Sequence, residues 1–414
     1  MTPIASYRRL FSLAGPAYVA IAFVGRLPLA MAQMGTLLLV AGTTGSYGIG
    51  GAAAGALAVA NAVGAPVAGS LADRVGQRPV VLVQSVVGGV ALLVLVAVAD
   101  AGVAPVLVVT SAALAGLAMP QIGPLARVRW RPITRDTGHR QPRLMDAAFS
   151  YEGAADEASF VLGPALLGLL VVVASPQAAL VVAAGILLVF GCWFALHHTA
   201  RLAHAHRLRA DSAAPLLTAA FVVLLGAQLL IGVVFGSVQT GTTVLATVAG
   251  QPGLAGVVHA SLGVGSVVAG LAVAALPARF TYASRVLAAA VGLALLSFPL
   301  LGTDTLARLL VVVLVLGFVV APYMISVFML GERAAPVGRV GTAMTLLAGA
   351  TGIGYAVGSA TAGRLADAYG HPGAFAVTVG AGVTAAVLAA AGQPVLRRVG
   401  VVEREPGRSD VTAP

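Results

Sequence analysis

Gly69-Ser70-Leu71-Ala72-Asp73-Arg74-Val75-Gly76-Gln77-Arg78-Pro79 separates two long apolar stretches, one from about Ser46 to Ser70 and the next opening at Val80. Two membrane-length helices joined by a turn of glycine, one carboxylate and two arginines make a tight, cationic hairpin. Glycine permits the turn and a close backbone approach, and Pro79 suits a helix start. If the remainder of the chain repeats this arrangement of apolar run and arginine-bearing turn, the fold is a bundle of membrane helices.

Composition agrees. Hydrophobic residues make up 59% of the 414 and charged residues 9%, against roughly a quarter charged in a soluble domain. So much apolar surface cannot hide inside one aqueous globule, and the chain reads as an integral membrane protein. The net charge of +10 could suit nucleic acid, but the basic residues, all arginine, sit in short clusters between apolar runs. Topology explains them, and no nucleic-acid partner is expected. Cys192 is the single cysteine, which excludes an intrachain disulfide or a cysteine metal cluster. His197, His198, His204 and His206 share one interhelical stretch that reads as a solvated, mildly basic linker rather than a metal site. No cofactor and no metal are expected. Tyr7-Arg8-Arg9-Leu10-Phe11 faintly resembles a twin-arginine export signal, but the apolar run after it continues to Val40, too long for a signal core.

Membrane-length segments are read at about residues 14–41, 47–71, 79–99, 103–125, 147–173, 176–196, 215–240, 253–276, 285–302, 305–330, 341–366 and 372–396. Each is near the ~20 residues that cross ~30 Å of hydrocarbon as a helix. With the amino terminus placed inside, 21 of the 24 arginines fall in cytoplasmic segments and the outer loops are nearly empty. Both termini are therefore expected in the cytoplasm. The outer connections are too short to hold an extracellular domain, and Arg127 to Arg143 reads as the longest hydrophilic stretch between helices. Residues 1–200 form an amino-terminal six-helix bundle, 201–214 a cytoplasmic linker, 215–396 a second bundle and 397–414 a cytoplasmic tail. A faint repeat links the halves. Gly163 and Gly168 correspond to Gly358 and Gly363, Phe160 to Tyr355, and Gly35-Thr36 to Gly241-Thr242.

The opening hairpin resembles the signature loop between the second and third helices of the major facilitator superfamily, roughly G-x-L-A-D-R-x-G-R-R. Gln77, where a basic residue is usual, is the one departure. The resemblance covers about residues 10–396 and implies an all-α membrane protein of twelve helices in two six-helix pseudo-repeat bundles, residing in the plasma membrane. It also assigns Asp73 a role in locking the halves, supported by Gly69, Arg74, Gly76 and Arg78. At the matching loop of the second half only Pro277-Ala278-Arg279 remains. Phe160 to Gly168 is similar to the glycine–proline motif of drug–proton antiporters. Gly163, Pro164 and Gly168 would let that helix pack closely and bend. Ser159 and Ser150 stand where the motif wants glycine, its last glycine is one position late, and Val108 to Leu125 lacks the fourth-span arginine that many such antiporters carry.

Arg26 is the sharpest single residue. It lies about twelve residues into the first span, where an arginine costs at least ~2.5–3.5 kcal/mol and so faces a cavity or a partner. Pro28 invites a kink at the same depth. The natural partners are on the fifth span: Glu152 and Asp156 share one helical face, and Glu157 is adjacent. Arg26 is expected to reach toward Asp156 or Glu157. A structural ion pair and proton coupling both fit, as does a helix start carrying interfacial acids. Gln33, Asn61, Gln228, Gln239 and His259 are polar groups in apolar spans; Gln33, Gln228 and Gln239 are the substrate-cavity candidates, because the first and seventh helices line the cavity in the family. Gly51, Gly55, Gly64, Gly349, Gly352, Gly354, Gly358 and Gly363 read as packing glycines.

The function expected is secondary active transport by alternating access. With no lysine, no phosphate-binding loop exists, so an ion gradient, most simply of protons, would drive transport. Few polar groups line the spans, which favours efflux of a hydrophobic or amphiphilic compound. Uptake of an organic anion against Arg26 is the alternative, and a membrane enzyme acting on lipid-linked substrates the rival from another class. The expected partners are a small-molecule substrate, protons and the lipid bilayer, with no obligate protein partner evident.

Overall fold

The computed structural model describes residues 3–207, 215–251, 254–277 and 280–399, all in helices and short connections. Among the described residues ten helices are long and apolar enough to cross a membrane, and two of them, Pro105–Val173 and Val340–Val399, each contain a reversal. The first reverses near Gly138 (φ 56°) and the second at Gly370 (φ 67°), backbone conformations that glycine adopts without strain. Packing on the seventh span proves the second reversal. Cβ atoms on Gly232 and Gly236 would meet Thr351 and Tyr355, running parallel, whereas Gly241 faces Phe375 and Gly392 faces Val223, running antiparallel. There are thus twelve crossings.

The spans run Pro16–Thr44, Tyr47–Val75, Gln77–Asp100, Pro105–Thr134, Gln141–Val173, Pro176–Leu196, Ala219–Val248, Ala255–Val273, Tyr282–Gly302, Leu306–Ala334, and the two arms of Val340–Val399. A short helix, Pro3–Ala14, precedes them. The fourth span extends nine residues past the boundary at 125 that hydropathy suggests, as the helix Ile122–Thr134. Its arginines are not in a hydrophilic loop: Arg127 and Arg129 are buried among acceptors within the bundle. The fifth span likewise begins before the boundary at 147, at Gln141, fifteen residues before Asp156. The region expected as a linker is a helix, Thr199–Arg207; 208–214, like the tail from 400, lie outside the described residues.

Two spans are broken, each at proline. In the first, the helix stops at Val24 and restarts at Leu27. Pro28 has no N–H for the Val24 carbonyl, and its ring crowds that oxygen. In the fourth, Met119-Pro120-Gln121 interrupts the helix. Asn61 of the second span bridges the gap: its Nδ2 donates to the carbonyls of Gly116 and Met119, both at 3.1 Å, and its Oδ1 accepts from Gln121 Nε2 at 2.7 Å. Asn61 is therefore an interhelical staple. A broken span survives in a bilayer only where its backbone groups find such partners.

The internal repeat is visible in the packing. Gly163 of the fifth span approaches Ala30 of the first, and Gly358 of the eleventh approaches Val233 of the seventh. Gly35 meets Leu180 of the sixth span, and Gly241 meets Phe375 of the twelfth. Equivalent glycines thus make equivalent contacts in the two bundles. Gly64, Gly349 and Gly354 also pack closely, and Gly352 makes an ordinary contact with Ala62. A Cβ on Gly51, Gly55, Gly168 or Gly363 would meet nothing within 4 Å, so these four are not packing glycines as expected.

Asn61→Ala should leave the Met119 carbonyl and the Gln121 amide without these partners, while the Gly116 carbonyl keeps the Met119 N–H, at a cost of about 1–3 kcal/mol for each group stranded. A lowered midpoint of thermal unfolding in detergent would register it, and an unchanged midpoint would remove Asn61 as the staple.

Candidate functional site

Odd-numbered spans begin, and even-numbered spans end, at one face of the bundle, which also carries most of the arginines. At this basic end the second span delivers Asp73 to the start of the eleventh. Asp73 Oδ1 accepts from the Gly341 N–H at 2.9 Å, and Oδ2 accepts from the N–H and hydroxyl of Thr342 at 2.6 and 2.7 Å. The carboxylate caps a helix in the opposite bundle, where unpaired N–H groups and the helix dipole both favour negative charge. Gly69 makes this possible: a Cβ there would collide with Thr345 Oγ1 and stand 2.9 Å from the Gly341 carbonyl. Gly76, with φ of 95°, ends the second span. Arg74 and Arg78 are exposed at the same end.

Other contacts between the bundles gather nearby. Arg131 pairs with Glu332 of the tenth span through two hydrogen bonds, one of them at 2.9 Å. Tyr282 of the ninth span donates to Asp146 of the fifth, and Tyr7 donates to the Leu271 carbonyl at 2.9 Å. Toward the opposite end, Gly42, Gly168 and Gly256 would meet no neighbour with an added Cβ.

Deeper inside, the break in the first span aims Arg26 at the fifth. Its guanidinium donates to Glu152 Oε2, to the Glu152 carbonyl at 3.3 Å and to Asp156 Oδ1 at 3.0 Å. Asp156 Oδ2 also pairs with Arg127 at 2.7 Å, and Trp130 donates to Glu152 Oε1 at 2.6 Å. Two cations and two anions close a neutral tetrad with Trp130 as a neutral donor. The expectation that Arg26 reaches toward Asp156 or Glu157 is met only for Asp156, and Glu152 is its other partner. Glu157 points elsewhere because one residue turns a helical side chain by about 100°. It is 8% exposed and lies beside Ser266 of the eighth span. Arg127 lies 4.3 Å from the ring of Phe328 in the opposite bundle, while its Nε and Nη1 have no hydrogen-bond partner.

Arg127, Arg129 and Trp130 went unrecognised in the sequence because their helix reads as a loop; their spacing on one helix after Pro124 was the available signal. Arg129, fully buried, donates to Gln77 Oε1, the Phe194 carbonyl and Thr199 Oγ1, and lies over the Phe194 ring. His197 is no solvated linker: it packs on Tyr18 and meets Thr199 Oγ1 at 3.1 Å. Burial, with His198 and Arg129 adding to it, pulls its imidazole down to about 4, so it is uncharged at neutral pH. Of the cavity candidates, Gln239 is exposed and held by the Tyr355 hydroxyl, and Gln228 is buried with Thr351 at 3.5 Å and its Nε2 unpartnered. Gln33 is half-buried. Among the described residues, no three His, Cys, Asp or Glu side chains are grouped to hold a metal ion.

A family model described as Major Facilitator Superfamily matches residues 17–347. No curated protein matches. Among solved structures, the human organic anion transporter MFSD10 (TETRAN) is similar over 91% of this chain and all of its own, with a TM-score of 0.71 and 19% identity. A bacterial homologue of the iron transporter ferroportin in an outward-facing state is similar over 91% and 98%, with a TM-score of 0.69 and 15% identity. The same homologue soaked with iron gives 0.68 and 14%. At these identities the likeness establishes the fold.

Arg26→Met should strand Glu152 and lower folded abundance sharply, since breaking a buried pair costs about 3–5 kcal/mol. Arg26→Met with Glu152→Gln keeps the acceptor for Trp130 and leaves Asp156 balanced by Arg127. It should restore abundance, read as the monodisperse fraction in detergent. Failure of the double variant would show that the pairing is not what the fold needs.

Proposed function

Because the chain belongs to the major facilitator superfamily of transporters, we propose that it is a proton-coupled exporter of hydrophobic or amphiphilic small molecules. It would work by alternating access between the bundles 1–200 and 215–396. The observation that carries this reading is the placement of polar bonds between the bundles, which gather at one end: Asp73 on the eleventh span, Arg131 on Glu332 and Tyr282 on Asp146. Such bonds exchange readily with water, so a lock made of them can open. On this reading the arrangement is closed at its basic, cytoplasmic end and faces outward at the other, in the plasma membrane with both termini inside.

Two features favour an apolar cargo. The tetrad cancels its own charge, and Gln239 is engaged within the protein. A sugar or nucleotide would find few polar groups. Uptake or exchange of an organic anion is the second reading. MFSD10 is described as an organic anion transporter, and Arg127, 4.3 Å from the Phe328 ring of the other bundle, keeps two buried nitrogens without a partner. Arg26 is taken by two carboxylates, so Arg127, which meets one carboxylate through Nη2 alone, is the counter-charge on this reading. Gly163 supports close packing of the fifth span on the first; Gly168 has no such contact.

Cells expressing the chain should accumulate less of a lipophilic cationic dye than controls, and an uncoupler should abolish the difference. Greater accumulation of an anionic dye would favour the second reading instead. Asp73→Asn should cripple transport at near-normal abundance, because the carboxylate supplies a differential contact of ~1–3 kcal/mol between the two arrangements. Undiminished dye efflux by that variant would reduce Asp73 to a topological charge.

A further inference from the structure

Of the fifth-span carboxylates, Glu152 and Asp156 belong to the tetrad and Asp146 is met by Tyr282 and Arg285, which leaves Glu157. Among the described residues no cation contacts it. The charged groups on the helices packed around that span are committed elsewhere. Arg26 and Arg127 serve Glu152 and Asp156, Arg131 serves Glu332, Arg129 rests on Gln77 and Phe194, Arg285 lies 3.8 Å from Asp146, Arg333 lies over the Tyr282 ring, and Arg8, Arg9, Arg143 and Arg308 are exposed. The charged neighbour of Glu157 is Asp156, of its own sign. Burying an unpaired charge costs far more than burying a paired one. A proton is the partner that the protein does not supply.

The facing surface of the eighth span is laid out in one line. Gly270 lies near Ala154, and Gly263 lies against Val161 and the Glu157 carbonyl, so the two helices run antiparallel. Ser266 is fully buried, with its hydroxyl beside the Glu157 carboxylate. His259 shares the stripe of Gly263 and Ser266, four and seven residues away. It lies ~10 Å toward the opposite end, half-buried, with Nδ1 unpartnered. Farther along that direction, Gly168 and Gly256 face open space. These helices belong to different bundles, so any rocking motion changes what Glu157 faces.

We infer that Glu157 is the proton-binding residue of the transporter, served from the outer end by a polar column through His259 and Ser266 between the fifth and eighth spans. The inference rests on the proton-coupled reading above. It also divides labour within the acidic cluster: Glu152 and Asp156 hold the bundle together, and Glu157 exchanges the proton. Protonation removes the charge when Glu157 is enclosed, and release requires the two spans to part.

The test needs no knowledge of the cargo. In a Cys192→Ala background, spin labels on Thr43→Cys and Val248→Cys mark the outer ends of the first and seventh spans. Their separation in lipid nanodiscs, read by pulsed dipolar spectroscopy, should change between mildly acidic and mildly alkaline buffer. Glu157→Gln should lose that change. Dicyclohexylcarbodiimide, which adds the O–H of a protonated carboxyl across its C=N bond, should label Glu157 and spare Glu152 and Asp156 by mass mapping. His259→Phe should slow that labelling several-fold. A separation insensitive to pH in the parent protein would overturn the proton-coupled reading and this inference with it. A pH response retained by Glu157→Gln would overturn the inference alone. If that variant does not insert, the carbodiimide result on the parent protein decides: an unlabelled Glu157 sinks the assignment.

Discussion

Asp73 joins the bundles by capping a helix that is not its own. A carboxylate that receives two N–H groups and a hydroxyl from the first turn of the eleventh span is held by charge-assisted bonds and by the helix dipole. Around that point the glycine at 69 lets the second span touch the eleventh backbone, and Arg131 and Glu332 close a second pair. An apolar seam of equal extent would tend to stay shut. Bonds of this kind have good substitutes in water, and those described between the bundles lie toward one end.

The tetrad meets a different requirement. Breaking a buried pair of this kind strands a charge, so the four groups are best kept together as a balanced set. The proline break in the first span turns Arg26 inward, and the extended fourth span brings Arg127 to the other oxygen of Asp156. Trp130 occupies the second oxygen of Glu152. Four charged side chains on three helices therefore fix the relative rotation of the first, fourth and fifth spans.

Most of the architecture was legible in the sequence because a bilayer imposes one length scale and one polarity on every crossing. The arginine-bearing turns, the twelve crossings and the break near Pro28 follow from that. Where charge is buried in protein, hydropathy misleads. Arg127 and Arg129 look like loop residues until their partners, sixty-five residues away in the case of Phe194, are in place. Glu157 and Asp156 are neighbours in sequence and face different helices, and no spacing rule distinguishes which acid finds the arginine. Glycines pose the same difficulty. Gly163 and Gly168 look alike in a motif, yet only the first has a neighbour to approach.

Gln77 departs from the family pattern at one position, and its side chain explains how the departure persists. Its amide donates to the Leu125 carbonyl at 3.2 Å and accepts from Arg129 at 2.8 Å, a buried arginine with no carboxylate in contact. A basic residue at 77 would bring a second positive charge to a site where the first is balanced only by neutral oxygens. The glutamine and the arginine therefore constrain one another's history: each is acceptable because of the other. Substitutions that look corrective against a family consensus can be harmful in such a background, and the order in which the two changes arose would have mattered to every intermediate.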